Sequence, residues 1–242
     1  MRIGILECGA PPEALRARFG GYGSMVQRLL GPSRDTAVFD VPGGALSTER
    51  PGCDAFVLTG SAAGVYDDLP WIPELIGFLR QVRGRAKLVG ICFGHQAMAE
   101  AFGGAVIKSP KGWGIGLQRY DVQHRARWMD GAAPVHVPAS HQDQVVACPR
   151  CARVTAANAF TPYAELDYGD AISFQFHPEF EAEFAAALID ARRDRFGALA
   201  GPAIASFGQP DDRARVGQWI HRFLDAPSAP AAGSHGDGPE ST

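Results

Sequence analysis

The sequence lacks a long apolar run, an excess of one charge and a large set of cysteines. No stretch approaches the roughly 18 apolar residues of a membrane-spanning helix, and the apolar run at 3–6 is too short for a signal-peptide core. The net charge of −3 excludes a strongly basic nucleic-acid binder and a polybasic membrane anchor. Five widely spaced cysteines favour a reducing cytoplasm over a secreted disulfide scaffold.

The sequence also contains no internal repeat and no phosphate-binding loop of the Walker type. Its 29 glycines and 18 prolines indicate many loops, without reaching the composition of a disordered polymer. A chain of 242 residues is long enough to bury one substantial core. We therefore predict a single domain over residues 1–225, followed by a disordered tail at 226–242 that is rich in Pro, Ala, Ser, Gly and Asp.

The first half of the chain alternates short apolar runs with amphipathic stretches. The runs predict strands at 2–6, 36–41, 55–59 and 87–91, and the amphipathic stretches predict helices at 11–30 (interrupted at Gly20-Gly21), 71–82 and 94–102. This alternation predicts an α/β fold with a mainly parallel sheet flanked by helices. From residue 105 to 176, short strands and turns predict an additional antiparallel sub-sheet, and two helices at 180–193 and 213–224 end the fold.

The segment 88–96 reads L-V-G-I-C-F-G-H-Q and carries a candidate nucleophile, Cys92. Gly90 and Gly94 flank it at −2 and +2, a spacing that suits a sharp strand–turn–helix elbow. At the first turn of a helix, the dipole and the free N–H groups stabilise a thiolate and could bind an oxyanion. An ordinary buried cysteine fits the same spacing equally well.

A candidate base follows a second apolar strand, in I-S-F-Q-F-H-P-E-F at 172–180. In an extended chain, residues i and i+2 face the same way, so Glu179 can hold one imidazole nitrogen of His177. The other nitrogen is then free to take a proton from a thiol. The alternative is a satisfied His–Glu pair without a catalytic role.

Taken together, these segments resemble the class I glutamine amidotransferases, in particular the amidotransferase part of guanylate synthase. Five segments match in the family's order: LTGSAAGVYDDLPW (58–71), GICFGHQAMAEAFGG (90–104), GWGIG (112–116), SHQDQV (140–145) and FQFHPEF (174–180). The resemblance covers roughly residues 2–225 and implies a flavodoxin-like class I amidotransferase fold. It implies a Cys-His-Glu triad at Cys92, His177 and Glu179.

Further site residues are carried over from the same resemblance. It implies that an oxyanion lies between the backbone N–H of Phe93 and an N–H near Gly60-Ser61. It also implies that Gln96, Ser140 and His141 help to hold the glutamyl group. Many family members have Gly-Gly-Pro where this chain has Gly60-Ser61-Ala62, and a leucine where it has Phe93, a larger side chain expected to narrow the pocket.

Two aromatic residues of these segments, and one pair of cysteines elsewhere, carry no assigned role. The single C-x-x-C pair, Cys148 and Cys151, lacks the further ligands that structural zinc requires, and we predict no metal and no cofactor. Tyr66 either contacts substrate or helps to cap the loop before the helix at 71. Trp113, between two glycines, borders an acceptor site or a partner surface, or anchors its own loop.

Three functions are compatible with this reading. The first is hydrolysis of glutamine, with ammonia passed to a separate synthase subunit, because residues 2–225 leave no room for a synthase domain. The second is a free-standing γ-glutamyl peptidase that acts on γ-glutamyl conjugates. The third is a non-catalytic regulatory subunit on the same fold, against which the intact triad argues.

Overall fold

The computed structural model describes residues 1–48 and 52–227. The strands are β1 (Arg2–Glu7), β2 (Asp35–Asp40), β3 (Ala55–Leu58), β4 (Lys87–Ile91), β5 (Ala105–Lys108), β6 (Gly114–Val122), β7 (Val135–His141), β8 (Asp143–Ala147), β9 (Arg153–Ala157), β10 (Glu165–Asp167) and β11 (Ala171–Phe174). The helices are α1 (Glu13–Phe19), α2 (Tyr22–Leu30), α3 (Ala45–Thr48), α4 (Trp71–Val82), α5 (Phe93–Ala101), α6 (Ala182–Asp190), α7 (Arg193–Phe196), α8 (Ala200–Ser206) and α9 (Arg213–Asp225). A short 3-10 helix, Gly197–Leu199, joins α7 to α8. Residues 228–242, most of the predicted tail, lie outside the described residues.

One large sheet has the strand order β2-β1-β3-β4-β11-β10-β9-β6-β7. The strands β2, β1, β3, β4 and β11 are parallel to one another, and the remaining pairings are antiparallel. Strands β5 and β8 form a separate antiparallel pair. The parallel part follows the flavodoxin-like order. The predicted mainly parallel sheet with an antiparallel addition is therefore confirmed.

Two cores lie on opposite faces of the parallel strands. In the fully buried β3, Ala55 and Val57 belong to one core, while Phe56 and Leu58 belong to the other. This alternation follows from the two-residue period of a strand, and burial on both faces is typical of parallel sheets covered by helices. Helices α2 and α9 cover the first face, and α4 and α5 cover the second. Among the described residues, no helix combines the length and the apolar character needed to cross a membrane.

The C-terminal region differs from the prediction in its helix bounds. Only nine residues of the predicted helix at 180–193 form α6, and α7 follows as a separate short helix. The helix begins late because the chain turns after His177, with the N–H of Phe180 directed to the His177 carbonyl. The short apolar stretch at 200–206 gave no helix in the prediction, yet α8 forms there because Ala200 and Ala203 pack beside Ile115 and Phe196.

Candidate active site

Cys92 occupies the bend between β4 and α5. It is the single non-glycine residue with a positive φ in the described part of the chain, at φ 52°. Its N–H donates to the carbonyl of Phe174 at 2.7 Å, and its carbonyl accepts from the N–H of Gln96 at 3.1 Å. Such a conformation is strained for an L-residue and tends to occur at functional sites. The predicted elbow is therefore present, with Cys92 at its apex.

The two flanking glycines permit this bend because side chains have no space there. A Cβ on Gly90 would lie 2.6 Å from the carbonyl oxygen of Gly94. A Cβ on Gly94 would lie 2.5 Å from the Cβ of Leu58 and 2.8 Å from the Leu58 carbonyl oxygen. Both distances are below normal contact, and they involve atoms that cannot rotate away. The spacing read from the sequence thus has a steric cause.

Replacing Gly94 with alanine is expected to distort the elbow. Because overpacking typically costs about 1–3 kcal/mol, we expect the free energy of unfolding to fall by roughly that amount in denaturant titrations. Gly77→Ala is the matched control, since a Cβ on that helical glycine would meet nothing within 4 Å. That control is expected to gain up to about 1 kcal/mol from helix propensity. Equal stability of the two variants would contradict the steric account.

His177 reaches the elbow because β4 and β11 are adjacent and parallel. Ile91 is opposite Phe174, so the chain beyond both strands leaves the sheet at the same edge. The N–H of His177 donates to the Pro138 carbonyl at 2.8 Å. Its Nδ1 lies 2.7 Å from Oε1 of Glu179, and both side chains are buried. The predicted pairing of residues 177 and 179 is therefore observed.

Cys92 and His177 both lie next to Gly60. A Cβ on Gly60 would lie 3.2 Å from Cε1 of His177 and 3.7 Å from Cβ of Cys92. Burial by itself lowers the pKa of His177, but the Glu179 carboxylate and Cys92, which also hydrogen-bonds the ring, raise it to about 10. This environment favours an imidazolium beside a sulfur atom.

Two aromatic residues that the sequence reading did not assign hold the imidazole ring. Phe180 stacks on His177 with ring centroids 3.9 Å apart and planes 5° apart. Tyr22 in turn stacks on Phe180, with ring centroids 5.7 Å apart. Burial raises the pKa of Tyr22 to about 12, so its hydroxyl stays protonated. Phe180 belongs to the motif at 174–180, whereas Tyr22 comes from α2 and had no signal of its own.

A cavity of about 500 Å³ opens above Cys92. Of the residues predicted to contact substrate or oxyanion, four line it with their side chains or backbone, namely Ser61, Gln96, Ser140 and His141. Tyr66 and Trp113, which the sequence left undecided, line it as well. Arg192 and Arg195 complete the wall and were missed by the sequence reading.

The side chain of Phe93 does not line the cavity. Its ring is 1% exposed and packs against Trp71 with centroids 5.4 Å apart, in the core beneath the cavity. The expectation that this phenylalanine narrows the pocket is therefore wrong, because the side chain points down from the first turn of α5. Its N–H lies in that turn, where helical N–H groups lack intrahelical partners.

The other two buried histidines near the elbow are held neutral. Burial lowers the pKa of His141 to about 4 and that of His95 to about 3. The His95 Nδ1 lies 2.7 Å from the Ser173 hydroxyl, and the His141 Nδ1 lies 3.2 Å from the Asp143 carbonyl. Among the three, only His177 is therefore set to carry a proton at neutral pH.

The comparison with protein families agrees with this arrangement. The family model "Glutamine amidotransferase class-I" matches residues 25–189, which contain Cys92, His177 and Glu179. The chain belongs to the class I glutamine amidotransferases. Its family membership thus follows from about two thirds of its length, and the matched stretch ends just before Arg192.

Relatives in this amidotransferase family are distant but extend over most of the chain. A glutamine amidotransferase-like protein of Schizosaccharomyces pombe is 29% identical over 209 residues, covering 79% of this chain and 84% of that protein. γ-Glutamyl peptidase 4 of Arabidopsis thaliana is 28% identical over 189 residues, covering 74% and 75%. A solved glutamine amidotransferase structure from Thermotoga maritima has a TM-score of 0.77 at 19% identity, over 93% of this chain and 99% of that one. The last match supports the fold alone.

Proposed function

We propose that this amidotransferase-family protein hydrolyses γ-glutamyl amides, glutamine among them, through a thioester on Cys92. The observation that carries the proposal is the convergence of Cys92 and His177 on Gly60, with Glu179 bonded to the far side of the imidazole. In that arrangement the sulfur has an adjacent proton carrier, and the ring has a fixed orientation.

The reaction then proceeds in two steps. The Cys92 thiolate attacks the γ-carbonyl carbon, the C–N bond breaks, and His177 protonates the departing nitrogen. His177 next takes a proton from water, the resulting hydroxide attacks the thioester carbonyl, and the C–S bond breaks. The products are glutamate and ammonia or an amine, with one water consumed.

Two backbone groups are assigned to the oxyanion. The first is the N–H of Phe93, the first residue of α5. The second is an N–H of the turn at Gly60-Ser61, which lies against the Cβ of Cys92. Fixed N–H donors at such a position stabilise the tetrahedral intermediate, and each is typically worth about a hundredfold in rate.

Gly60→Ala is expected to lower kcat/KM about tenfold or more, since the added Cβ at 3.2 Å displaces the His177 ring by a few tenths of an ångström. Steady-state kinetics with glutamine or a γ-glutamyl dipeptide measure this effect. Gly201→Ala is the control, because a Cβ there would meet nothing within 4 Å. An unchanged rate in Gly60→Ala would argue against this turn as part of the catalytic centre.

Gln96, Ser140 and His141 are assigned to the glutamyl group. The Gln96 amide nitrogen already donates to the Asp143 carbonyl at 2.9 Å and to Oε1 of Gln175 at 3.1 Å, which fixes the side chain in the cavity wall. Ser140 Oγ and His141 Nε2 have no hydrogen-bond partner among the described residues. A polar substrate would satisfy such groups, which otherwise cost free energy.

A substrate panel tests the proposed function. Purified protein is incubated with glutamine, γ-glutamylglycine and γ-glutamylethylamide, and released glutamate, ammonia and amines are quantified. Glutamate release from at least one substrate supports hydrolysis, and no release from any of them, alone or with a synthase, overturns it. Release only after a synthase is added would select the ammonia-supplying role with a separate partner subunit. The five free thiols fit the cytoplasmic location predicted for this enzyme.

A further inference from the structure

The cavity above Cys92 carries more positive charge than glutamine requires. Its charged lining consists of three basic side chains and two acidic ones: Lys108, Arg192, Arg195, Asp67 and Asp143. Glutamine brings one carboxylate and one ammonium group, and its leaving group, ammonia, needs no charged partner. The lining therefore has a net surplus of one positive charge, which a second anionic group on the substrate would balance.

In one part of the cavity lining, the positive charge is balanced by neighbouring carboxylates. Lys108 and Asp143 are directly opposite each other in the β5–β8 pair. The Tyr66 hydroxyl hydrogen-bonds Asp143, and Asp67 accepts the N–H of Gly64 at 2.9 Å. This wall combines two carboxylates with one lysine, which suits the ammonium end of a glutamyl group.

Another part of the cavity lining has guanidinium groups without carboxylates. Arg192 is half-buried and hydrogen-bonds the Tyr22 hydroxyl, while Arg195 is exposed and lies over the Trp113 ring at 5.6 Å. Neither forms an ion pair with any described residue. Arg193, between them, points elsewhere and pairs with Asp190 at 2.8 Å. Of the three arginines at 192, 193 and 195, the two without an ion pair are therefore the two that line the cavity.

The segment that carries these arginines is fixed in place. Phe196 is 4% exposed, sits in a core with Ile115 and Ile189, and meets Trp113 edge to face at 5.1 Å. The Tyr22 hydroxyl that holds Arg192 belongs to the aromatic stack against His177. A rigid support of this kind lowers the entropy lost when a ligand binds.

We propose that Arg192 and Arg195 bind a carboxylate on the leaving group, so that the cavity selects γ-glutamyl amino acids or peptides over glutamine. The inference rests on the proposed hydrolysis and adds a substrate class to it. A γ-glutamyl amino acid carries one carboxylate more than glutamine, which matches the net surplus of one positive charge over the whole cavity lining. Guanidinium groups bind carboxylates through paired, charge-assisted hydrogen bonds.

The chemistry of this substrate class balances without a further reagent. Cys92 attacks the γ-carbonyl, the amide C–N bond breaks, and His177 protonates the amine of the departing amino acid. One water then releases glutamate from the thioester. The amino acid leaves with its carboxylate intact, so the arginines act in binding and take no part in proton transfer.

The test compares two substrates that differ only in this carboxylate. γ-Glutamylglycine and γ-glutamylethylamide have leaving groups of the same length, and the selectivity is the ratio of their kcat/KM values. We expect the wild type to prefer the glycine substrate by at least about tenfold, the scale of one charge-assisted hydrogen bond. We expect Arg195→Met and Arg192→Met each to lower the ratio severalfold, and the double variant to bring it near one. Arg193→Met is the control, because Arg193 is exposed and pairs with Asp190. We expect it to keep the wild-type ratio.

The possible failures are distinguishable. If hydrolysis occurs but the ratio is near one in the wild type, or unchanged in the arginine variants, the leaving-group site is wrong while the proposed function stands. If no substrate is hydrolysed, the leaving-group site is tested by binding instead. Calorimetry then compares the affinities of γ-glutamylglycine and γ-glutamylethylamide for the Cys92→Ala variant. A preference for γ-glutamylglycine that Arg195→Met abolishes then supports the site, and equal or absent binding of both ligands overturns it.

Discussion

Replacing Cys92 with alanine is expected to lower γ-glutamyl amide hydrolysis by at least about ten-thousandfold. Removing the nucleophile of a catalytic triad costs on this scale because the remaining groups stabilise the transition state only through binding. Cys92 lies at the apex of the elbow, next to an imidazole bonded to a buried carboxylate. Glutamate release, with intact-mass detection of an acyl intermediate in the wild type, measures the effect.

Cys8→Ala is the matched control for this loss. Cys8 is also fully buried, but its thiol contacts the Leu6 carbonyl, and burial raises its pKa, so it stays a neutral thiol. That variant is expected to lose some stability and to keep its rate per folded molecule. Comparable hydrolysis by Cys92→Ala and Cys8→Ala would assign the nucleophile elsewhere.

The elbow adds a stability signature that separates Cys92 from an ordinary buried cysteine. With φ at 52°, the residue occupies a region that costs a non-glycine residue about 1–3 kcal/mol. Cys92→Gly, although inactive, is therefore expected to be at least as stable as Cys92→Ala in denaturant titrations. A markedly less stable glycine variant would mean that the conformation is unstrained.

The sequence predicted the parts of this site that depend on local geometry. Gly90 and Gly94 indicated the elbow because a side chain at either position would clash. At Gly90 it would meet the backbone of Gly94, and at Gly94 it would meet Leu58. The strand alternation predicted the parallel sheet, and the i, i+2 spacing predicted the pairing of His177 with Glu179. These features arise within a few residues of each other or within one repeating pattern.

The parts that the sequence did not predict depend on distant contacts. Tyr22 joins the aromatic stack on His177 because α2 packs against Phe180, more than 150 positions later in the chain. Arg192 and Arg195 follow a helix whose sequence carries no functional motif. The charged residues next to them, Arg193 and Asp190, form an ion pair on the surface. Which arginine faces the cavity is decided by the burial of Phe196, which no local pattern reveals.

Glu179→Gln is expected to lower kcat/KM about a thousandfold or more at pH 7. The amide can turn its NH₂ toward Nδ1 of His177 and so favour the wrong tautomer, which in a serine protease triad costs about ten-thousandfold. Glu181→Gln is the matched control, because that carboxylate lies two residues further on, is exposed, and only approaches Arg28 at 3.8 Å. It is expected to retain the rate within about twofold.

The same substitution is expected to change the pH dependence in a defined direction. Glu179 is the largest of the influences that raise the pKa of His177 from 6.5 to about 10, against the opposing effect of burial. Without this carboxylate the pKa of His177 falls, so the ring loses its proton at lower pH and the basic limb of the kcat/KM profile moves toward acid. In the wild type, a raised histidine pKa stabilises the fold fully below pH 6.5, and that contribution is lost as the pH rises toward 10.

The rate and the pH profile of Glu179→Gln together show whether Glu179 orients the His177 ring, stabilises its positive charge, or does both. If Glu179→Gln slows the reaction and leaves the pH profile in place, the carboxylate acts mainly by selecting the tautomer of His177. If the profile shifts as well, the carboxylate also stabilises the imidazolium that protonates the leaving nitrogen. If neither changes, the stack on Phe180 and the bond from the His177 N–H to the Pro138 carbonyl suffice to hold the ring, and Glu179 has no place in the triad.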